Sequence, residues 1–346
     1  MYSAIHIPQH GVSALAGRGR SQRPQLWLYY STNLLLHTNI VPLQRVWARA
    51  AHDGYTHILL NDSKFSHLAL LGSALRRYLK NVRLIRSLAA RYKLVLVPGT
   101  FPVGYSNDLL ALQPSLAEGL PVRDVPFVVR GGIAHLAADP SLHLPAHPTW
   151  MDKSVRLSQG VAMVNNPTGN ARLVFKMTLH PFWSYHLRVW IRTRHFTGRP
   201  HLEVLAGPHN RSLQYQSLST RPSQKWRRYD VVFDTLQHRN VGIYFGSWGA
   251  ARGMLEWRAW TIHVAGLVNV LSRRGAPTTV AGYRPGIDFI VPHDPLLGQS
   301  PYAGEYTSWH RPAILQFRRP MPNGKVVHVS WYYPPILGYT QKLWTA

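Results

Sequence analysis

The sequence contains no cysteine among its 346 residues. This absence excludes disulfide bonds, cysteine zinc sites, iron–sulfur clusters and thiol nucleophiles from the chain. Acidic residues are also scarce, with 14 Asp and Glu against 39 Lys and Arg and a formal net charge of +25. Any chemistry that needs paired carboxylates must therefore use a small set of side chains.

Long apolar runs and common catalytic motifs are missing too. No run of about 18 apolar residues occurs, so the sequence predicts no transmembrane segment. The first 25 residues carry three arginines and lack the apolar core of a signal peptide, which favours a disordered basic leader over 1–25. The metalloprotease, P-loop, dinucleotide-binding, EF-hand and nucleophile-elbow motifs are all absent. The sequence therefore predicts neither a metal site nor a cofactor.

The basic residues that are present are 31 Arg and 8 Lys. Such an excess attracts polyanions, including nucleic acid and acidic polysaccharide. A base composition that favours arginine codons explains the Arg to Lys ratio equally well, so both interpretations stay open. Hydrophobic residues make up 45% of the chain and aromatics 11%, which predicts a folded core.

The first third of the chain has the pattern of alternating strands and helices. Apolar strands are predicted at 26–33, 57–60 and 94–101, with helices after Pro42 and over 68–90. This order predicts a parallel sheet with right-handed crossovers. Functional groups in such sheets gather in the loops that follow the strands, which makes Asn33 in the first loop a candidate binding residue.

The pattern changes after a Pro- and His-rich run at 139–148. Short, partly alternating segments separated by Gly, Pro or Asn follow, and they predict a β-sandwich or jelly roll. Two further strands are predicted on either side of a Pro-Asn-Gly turn, at 313–321 and 325–333. The predicted domains are a leader over 1–25, a partial (β/α) barrel over 26–148, a β-sandwich over 149–268 and a β-rich segment over 269–346.

Several long runs resemble a bacterial glycoside-hydrolase-like family. They include LWLYYSTN (26–33), GYTHILLNDSKFSHL (54–68), SQKWRRYDVVFDTL (223–236) and IYFGSWGAARGMLEWRAW (243–260). The resemblance implies a TIM-type barrel interrupted by a carbohydrate-binding jelly roll, hence an α/β plus all-β fold class. Three βα units do not close an eight-stranded barrel, so the resemblance implies a truncated or diverged relative. An open sheet edge in such a relative implies a covering partner chain or oligomer.

The same resemblance implies the site residues. Asp62 and Glu118 are the candidate catalytic carboxylates, because glycoside hydrolysis uses two such groups about 5–10 Å apart. Lys64, Tyr105 and Asn107 are candidate substrate-binding residues beside them. Aromatic side chains stack on sugar rings, and the candidates in the jelly roll are Trp183, Trp226, Trp248 and Trp257.

Three functional hypotheses follow from the sequence. The first is a truncated or diverged glycoside-hydrolase-like, carbohydrate-active protein, for which binding of a polysaccharide or oligosaccharide is favoured over its cleavage. The second is a basic protein that binds RNA, DNA or acidic polysaccharide on a reused scaffold. The third is an incomplete product without independent function. The sequence predicts no particular compartment.

Overall fold

A computed structural model describes residues 25–66, 68–100, 108–299, 303–306 and 309–334. They fall into two compact units, one within Met1–Thr100 and the other within Phe101–Ala346. The described strands lie in four sheets of three, five, five and six strands. None of the described helices is long and apolar enough to cross a membrane.

The first unit is a small βαβαβ structure. Its strands are β1 (Trp27–Ser31), β2 (His57–Asn61) and β3 (Val95–Gly99), and its helices are α1 (Ile40–His52) and α2 (Leu75–Arg91). The three strands are parallel and lie in the order β1-β2-β3. The strands and helices predicted in this region are therefore present in the predicted order.

Both helices pack against one face of this sheet. Apolar residues recur at helical spacing in α1, where Leu43 and Trp47 are buried. They join Tyr78 of α2 and Ile58 and Leu60 of β2 in a single hydrophobic cluster. The side chains of the opposite sheet face alternate with these, and there Trp27 is 47% and Tyr29 is 56% exposed.

The prediction of a partial (β/α) barrel is wrong. The strand that follows the parallel sheet, β4 (Leu120–Arg130), pairs antiparallel with other strands of the second unit and does not extend the β1-β2-β3 sheet. All strand pairs described in the second unit are antiparallel ladders. The described part of the chain is therefore mainly β, with no β/α barrel in it.

The second unit contains sixteen strands and one short α-helix among its described residues. They are α3 (Asp108–Leu112), β4 as given above, β5 (Ile133–Leu136), β6 (Trp150–Met151), β7 (Arg156–Ser158), β8 (Val161–Asn165), β9 (Ala171–Thr178), β10 (Ser184–Arg194), β11 (Pro200–Ala206), β12 (Arg211–Ser217), β13 (Gln224–Asp234), β14 (Asn240–Ser247), β15 (Met254–Val264), β16 (Thr279–Val280), β17 (Phe289–Ile290), β18 (Leu315–Phe317) and β19 (Val326–Tyr333).

Two five-stranded sheets form a β-sandwich. Their strand orders are β12-β11-β14-β9-β6 and β13-β10-β15-β8-β7. Aromatic side chains join them across the core: the ring centroids of Phe245 and Trp257 are 6.3 Å apart, and those of Phe175 and Trp260 are 5.6 Å apart. The predicted β-sandwich is confirmed. Each of its sheets buries one face and presents the other to the outside.

The six-stranded sheet has the order β16-β19-β4-β5-β18-β17. Its inward side chains, including Phe127 and Trp331, belong to the same hydrophobic cluster as the sandwich core. The two strands predicted around the Pro-Asn-Gly turn correspond to β18 and β19. They do not form a hairpin, because β4 and β5 lie between them in the sheet.

Candidate functional site

A row of aromatic side chains crosses the outer face of the sheet β12-β11-β14-β9-β6. The strand registers place five residues side by side, one from each strand, and we call them the aromatic row: Trp150, Val174, Tyr244, Glu203 and Tyr215. Residues paired in this way point to the same face of a sheet. Strands lie about 4.8 Å apart, so the row spans about 19 Å.

Tyr244 lies at the centre of this row, and the sequence around it leaves its ring uncrowded. On β14 the outward positions on either side of Tyr244 are glycines, Gly242 and Gly246. A Cβ atom placed on Gly242 would lie 3.1 Å from Cε2 of Tyr244. The phenol ring therefore lies low over Gly242 and occupies the space that a side chain would fill, which gives a flat aromatic surface on the sheet.

Further rings extend this surface along one side of the row. His201 pairs with Gly246 in the neighbouring register. Its ring centroid is 4.9 Å from that of Tyr215 and 5.3 Å from that of Trp248. Trp248 directly follows β14 and is half-buried beside His201.

Charged groups lie among these rings. The guanidinium carbon of Arg172 is 5.5 Å from the centre of the Trp150 ring and 6.0 Å from that of Trp248. Nε of Arg172 donates a hydrogen bond of 2.9 Å to Asp152, and this bond raises the pKa of Arg172. Burial raises the pKa of Tyr215, and the negative charge of Glu203 raises it further. The face therefore combines flat rings with a fixed cation and a carboxylate.

Such a surface is suited to a ligand with both apolar and hydroxyl groups. The faces of aromatic rings bind weakly polarised C–H groups, and charged oxygens and nitrogens form strong hydrogen bonds with hydroxyls. The described residues contain no group of three or more His, Asp or Glu side chains that could hold a metal ion.

The structure places Asp62 away from any open surface. Asp62 is 3% exposed, and its carboxylate accepts hydrogen bonds from the backbone N–H of Leu34 at 2.7 Å and the hydroxyl of Tyr78 at 3.1 Å. Lys64 contributes two more bonds, from its backbone N–H and from Nζ, each 3.1 Å long. This set of bonds is typical of a structural carboxylate.

Besides Asp62 and Lys64, the structure describes Asn33 and Glu118 of this group. The Oδ1 atom of Asn33 accepts a hydrogen bond from the N–H of Leu35, a common local turn bond. Glu118 is exposed and lies in the second unit, whereas Asp62 lies in the first. Tyr105 and Asn107 lie outside the described residues.

The four tryptophans predicted to contact substrate have four different environments. Trp248 lies beside the aromatic row. Trp183 is stacked on His180, with centroids 4.3 Å apart, at a cleft of about 280 Å³. Trp226 lies on the other sheet of the sandwich, next to two arginines. Trp257 is 2% exposed in the core between the sheets, where its role is packing against Phe245.

The central residues of the face were not among the sequence candidates. They come together only through the register of paired strands, and this register cannot be read from the sequence. These residues are Tyr244, Tyr215, Glu203 and Arg172. One local signal exists: in Gly-Ile-Tyr-Phe-Gly (242–246) the alternating positions are Gly, Tyr and Gly, and this pattern isolates one aromatic ring on one face of a strand.

No family model matches the chain, and no curated protein matches it. Parts of the chain are similar to solved structures. A structure described as "CBM4 structure and function" is 10% identical, with a TM-score of 0.28, 33% of this chain covered and 77% of that chain. "Family 16 Carbohydrate Binding Module-2" is 15% identical, with a TM-score of 0.25 and coverages of 36% and 89%. The N-terminal cellulose-binding domain from Cellulomonas fimi β-1,4-glucanase C is 17% identical, with a TM-score of 0.24 and coverages of 36% and 90%.

These TM-scores lie below 0.5, so the similarities carry no argument about this chain.

Proposed function

We propose that this protein binds a carbohydrate on the aromatic row and acts by binding, with no cleavage step. The observation that carries the proposal is the Tyr244 ring lying over Gly242, in a row that also contains Tyr215 and Glu203. A pyranose ring has one face of C–H groups and a rim of hydroxyls. The first packs against an aromatic ring, and the second suits the carboxylate and guanidinium beside it.

The length of the row supports an extended ligand. A span of about 19 Å, from Trp150 to Tyr215, accommodates several sugar units in a chain. Trp150, at one end of the row, is 47% exposed, so a ligand can reach the row from that end. The predicted ligand class is therefore a polysaccharide or a long oligosaccharide.

The arrangement of carboxylates favours binding over hydrolysis. Of the two carboxylates predicted to be catalytic, that of Asp62 already accepts four hydrogen bonds inside the first unit. Glu203 faces two tyrosines in the row, so it is placed to accept hydrogen bonds from sugar hydroxyls.

The experiment is binding of the purified chain to a panel of neutral polysaccharides at low salt and at about 0.5 M salt. A neutral sugar carries no charge for dissolved ions to screen, so its binding should persist at high salt. Tyr244→Ala and Trp248→Ala should each weaken binding about tenfold or more, since an aromatic platform provides a large share of such contacts.

Tyr29→Ala is the matched control, because Tyr29 is an exposed tyrosine of the first unit that the proposal does not use. It should bind like the unmodified chain, and all three variants should keep the thermal unfolding profile of the unmodified chain. A chain that binds no neutral polysaccharide at millimolar sensitivity, or equal losses in Tyr29→Ala and Tyr244→Ala, would contradict the proposal.

A further inference from the structure

The other outer face of the sandwich has a different chemistry. Along β10, core positions such as Val189 and Ile191 alternate with outward positions, and Arg188 and Arg192 are outward. Arg228 of β13 and Arg258 of β15 both pair with Trp190, so they lie on the same side of the sheet. We call these four residues, Arg188, Arg192, Arg228 and Arg258, the arginine face.

Two of these arginines are held against an indole ring. The guanidinium carbon of Arg258 is 4.2 Å from the centre of the Trp226 ring, and that of Arg192 is 4.8 Å from it. Arg192 also donates two hydrogen bonds to the buried carboxylate of Glu256, one of them 2.6 Å from Nη2 to Oε1. These contacts fix the guanidinium groups before any ligand arrives, which lowers the entropic cost of binding.

The other two arginines share one carboxylate. Oδ1 of Asp230 accepts a hydrogen bond of 3.3 Å from Nε of Arg188, and Oδ2 accepts one of 2.9 Å from Nε of Arg228. Each bond uses one of the five N–H donors of a guanidinium. Four guanidiniums thus face two carboxylates, Asp230 and Glu256, and the arginine face keeps an excess of two positive charges.

The spacing of the charges fits a polymer. Arg228 and Arg258 flank Trp190 from the strands on either side, so their Cα atoms are about 10 Å apart across β10. The four arginines come from three adjacent strands, so the face is wide enough to contact more than one anionic group of a polymer. Arginine presents a planar fork that matches carboxylate and sulfate oxygens.

We propose that the arginine face is a second binding site, specific for an anionic polysaccharide that carries carboxylate or sulfate groups. Single-stranded nucleic acid is the less suitable polyanion here, because its binding relies on aromatic rings that stack with bases. The Trp226 ring is engaged by two guanidiniums instead, and the half-buried Trp190 ring lies between Arg228 and Arg258. The site is independent of the aromatic row, since the two lie on opposite faces of the sandwich.

The test measures binding of the full chain to heparin and to polygalacturonate, with poly(U) RNA as the comparison polyanion, by calorimetry at several salt concentrations. Arg258→Gln should weaken polysaccharide binding about tenfold at low salt. Arg258→Lys keeps the charge and should still weaken binding about threefold, because lysine lacks the planar fork and the stacking on Trp226.

Arg86→Gln is the matched control, since it removes the same charge from an exposed position of α2. It should change binding by less than about twofold. All variants should retain binding to any neutral polysaccharide that the aromatic row holds, so a failure of one site is distinguishable from a failure of the other.

Three results would overturn the proposal. In the first, Arg86→Gln and Arg258→Gln weaken polysaccharide binding equally and Arg258→Lys binds like the unmodified chain. This result would show that the net charge of the protein attracts the polysaccharide without a specific site. Another is tighter binding of poly(U) than of either polysaccharide, with the polysaccharides displaced by the RNA. The third is the absence of binding to both polysaccharides at low salt.

Discussion

The hydroxyl of Tyr78 donates a hydrogen bond to the buried carboxylate of Asp62 over 3.1 Å. Burial raises the pKa of Tyr78, and the charge of Asp62 raises it further. The same carboxylate holds the backbone of Leu34, so it ties α2 to the loop after β1. Asp62 thus has the role of a structural acid in the first unit.

Asp62→Ala should therefore lower the free energy of unfolding of the first unit by about 2–4 kcal/mol, because the N–H of Leu34 and the hydroxyl of Tyr78 lose their acceptor inside the protein. Denaturant unfolding followed by tryptophan fluorescence measures this. Asp53→Ala removes an exposed acid from the end of α1 and should cost less than about 1 kcal/mol. Equal losses in the two variants would show that Asp62 has no special structural role.

Asp234 gives stability a dependence on pH. Burial raises the pKa of this side chain to about 7, against the opposing effects of the Leu236 N–H bond and Arg123. The pKa of Asp234 in the folded state lies above the unfolded value of 3.8, so the folded state favours the protonated side chain. The stability that this gives is complete below about pH 4 and is lost as the pH rises to about 7. The shift corresponds to at most about 4 kcal/mol.

Asp234→Asn keeps an acceptor for the Leu236 N–H, which now bonds Oδ1 over 2.6 Å. The variant should remove this decline and unfold at a higher temperature than the unmodified chain at pH 8. Thermal unfolding at intervals between pH 4 and pH 8 measures it. Parallel curves for the two proteins over that range would contradict the assignment.

His310 adds a second dependence at higher pH. Burial alone lowers the pKa of His310, but hydrogen bonds to Asp294 and to the carbonyl of Arg311 outweigh this effect and raise it. With a folded pKa above the unfolded value, the stabilisation is complete below about pH 6.5 and is lost as the pH rises through the folded pKa.

His310→Gln should remove that part of the pH dependence. Titration of the imidazole signal by NMR measures the pKa of His310 directly, and a midpoint above that of a free histidine is expected. A midpoint for His310 below that of a free histidine would show that burial dominates.

Gly246 lies where β14 approaches β9 closely. A Cβ atom at this position would lie 2.3 Å from the carbonyl oxygen of Ala171. This distance is a steric clash, so the backbone of one of the two strands would have to move. Gly246→Ala should therefore destabilise the sandwich by more than about 2 kcal/mol and weaken carbohydrate binding, since Trp248 follows directly. Gly169→Ala is the control, because its Cβ meets no atom within 4 Å. Similar melting temperatures for the two variants would contradict this account.

Local patterns predicted much of the secondary structure and failed for the long-range architecture. The helix containing Leu43 and Trp47 follows from their spacing, and alternation predicted strands such as β9 and β10. The prediction of a partial barrel was wrong because the sequence does not show which strands pair. β4 contains Pro121 and Pro126, which weaken its strand pattern, and its partner β19 lies about 200 residues away.

The candidate site shows the same limit. Trp248 was predicted from its residue type, but alternation alone could not show that Trp257 faces the core or that Tyr244 faces outward. Register decides which side chains from different strands meet, and Glu203 meets Tyr215 and Tyr244 only through the pairing of three strands.

The helices of the first unit cover only one face of its three-stranded sheet, and Trp27 and Tyr29 project from the other face. This unit therefore buries less apolar surface for each ordered residue than the sandwich, whose strands join one large hydrophobic cluster. In native-state hydrogen exchange, the amides of β1, β2 and β3 should exchange through an opening of lower free energy than the amides of β10 and β14. The chain then unfolds in two steps on heating, with the parallel sheet lost first.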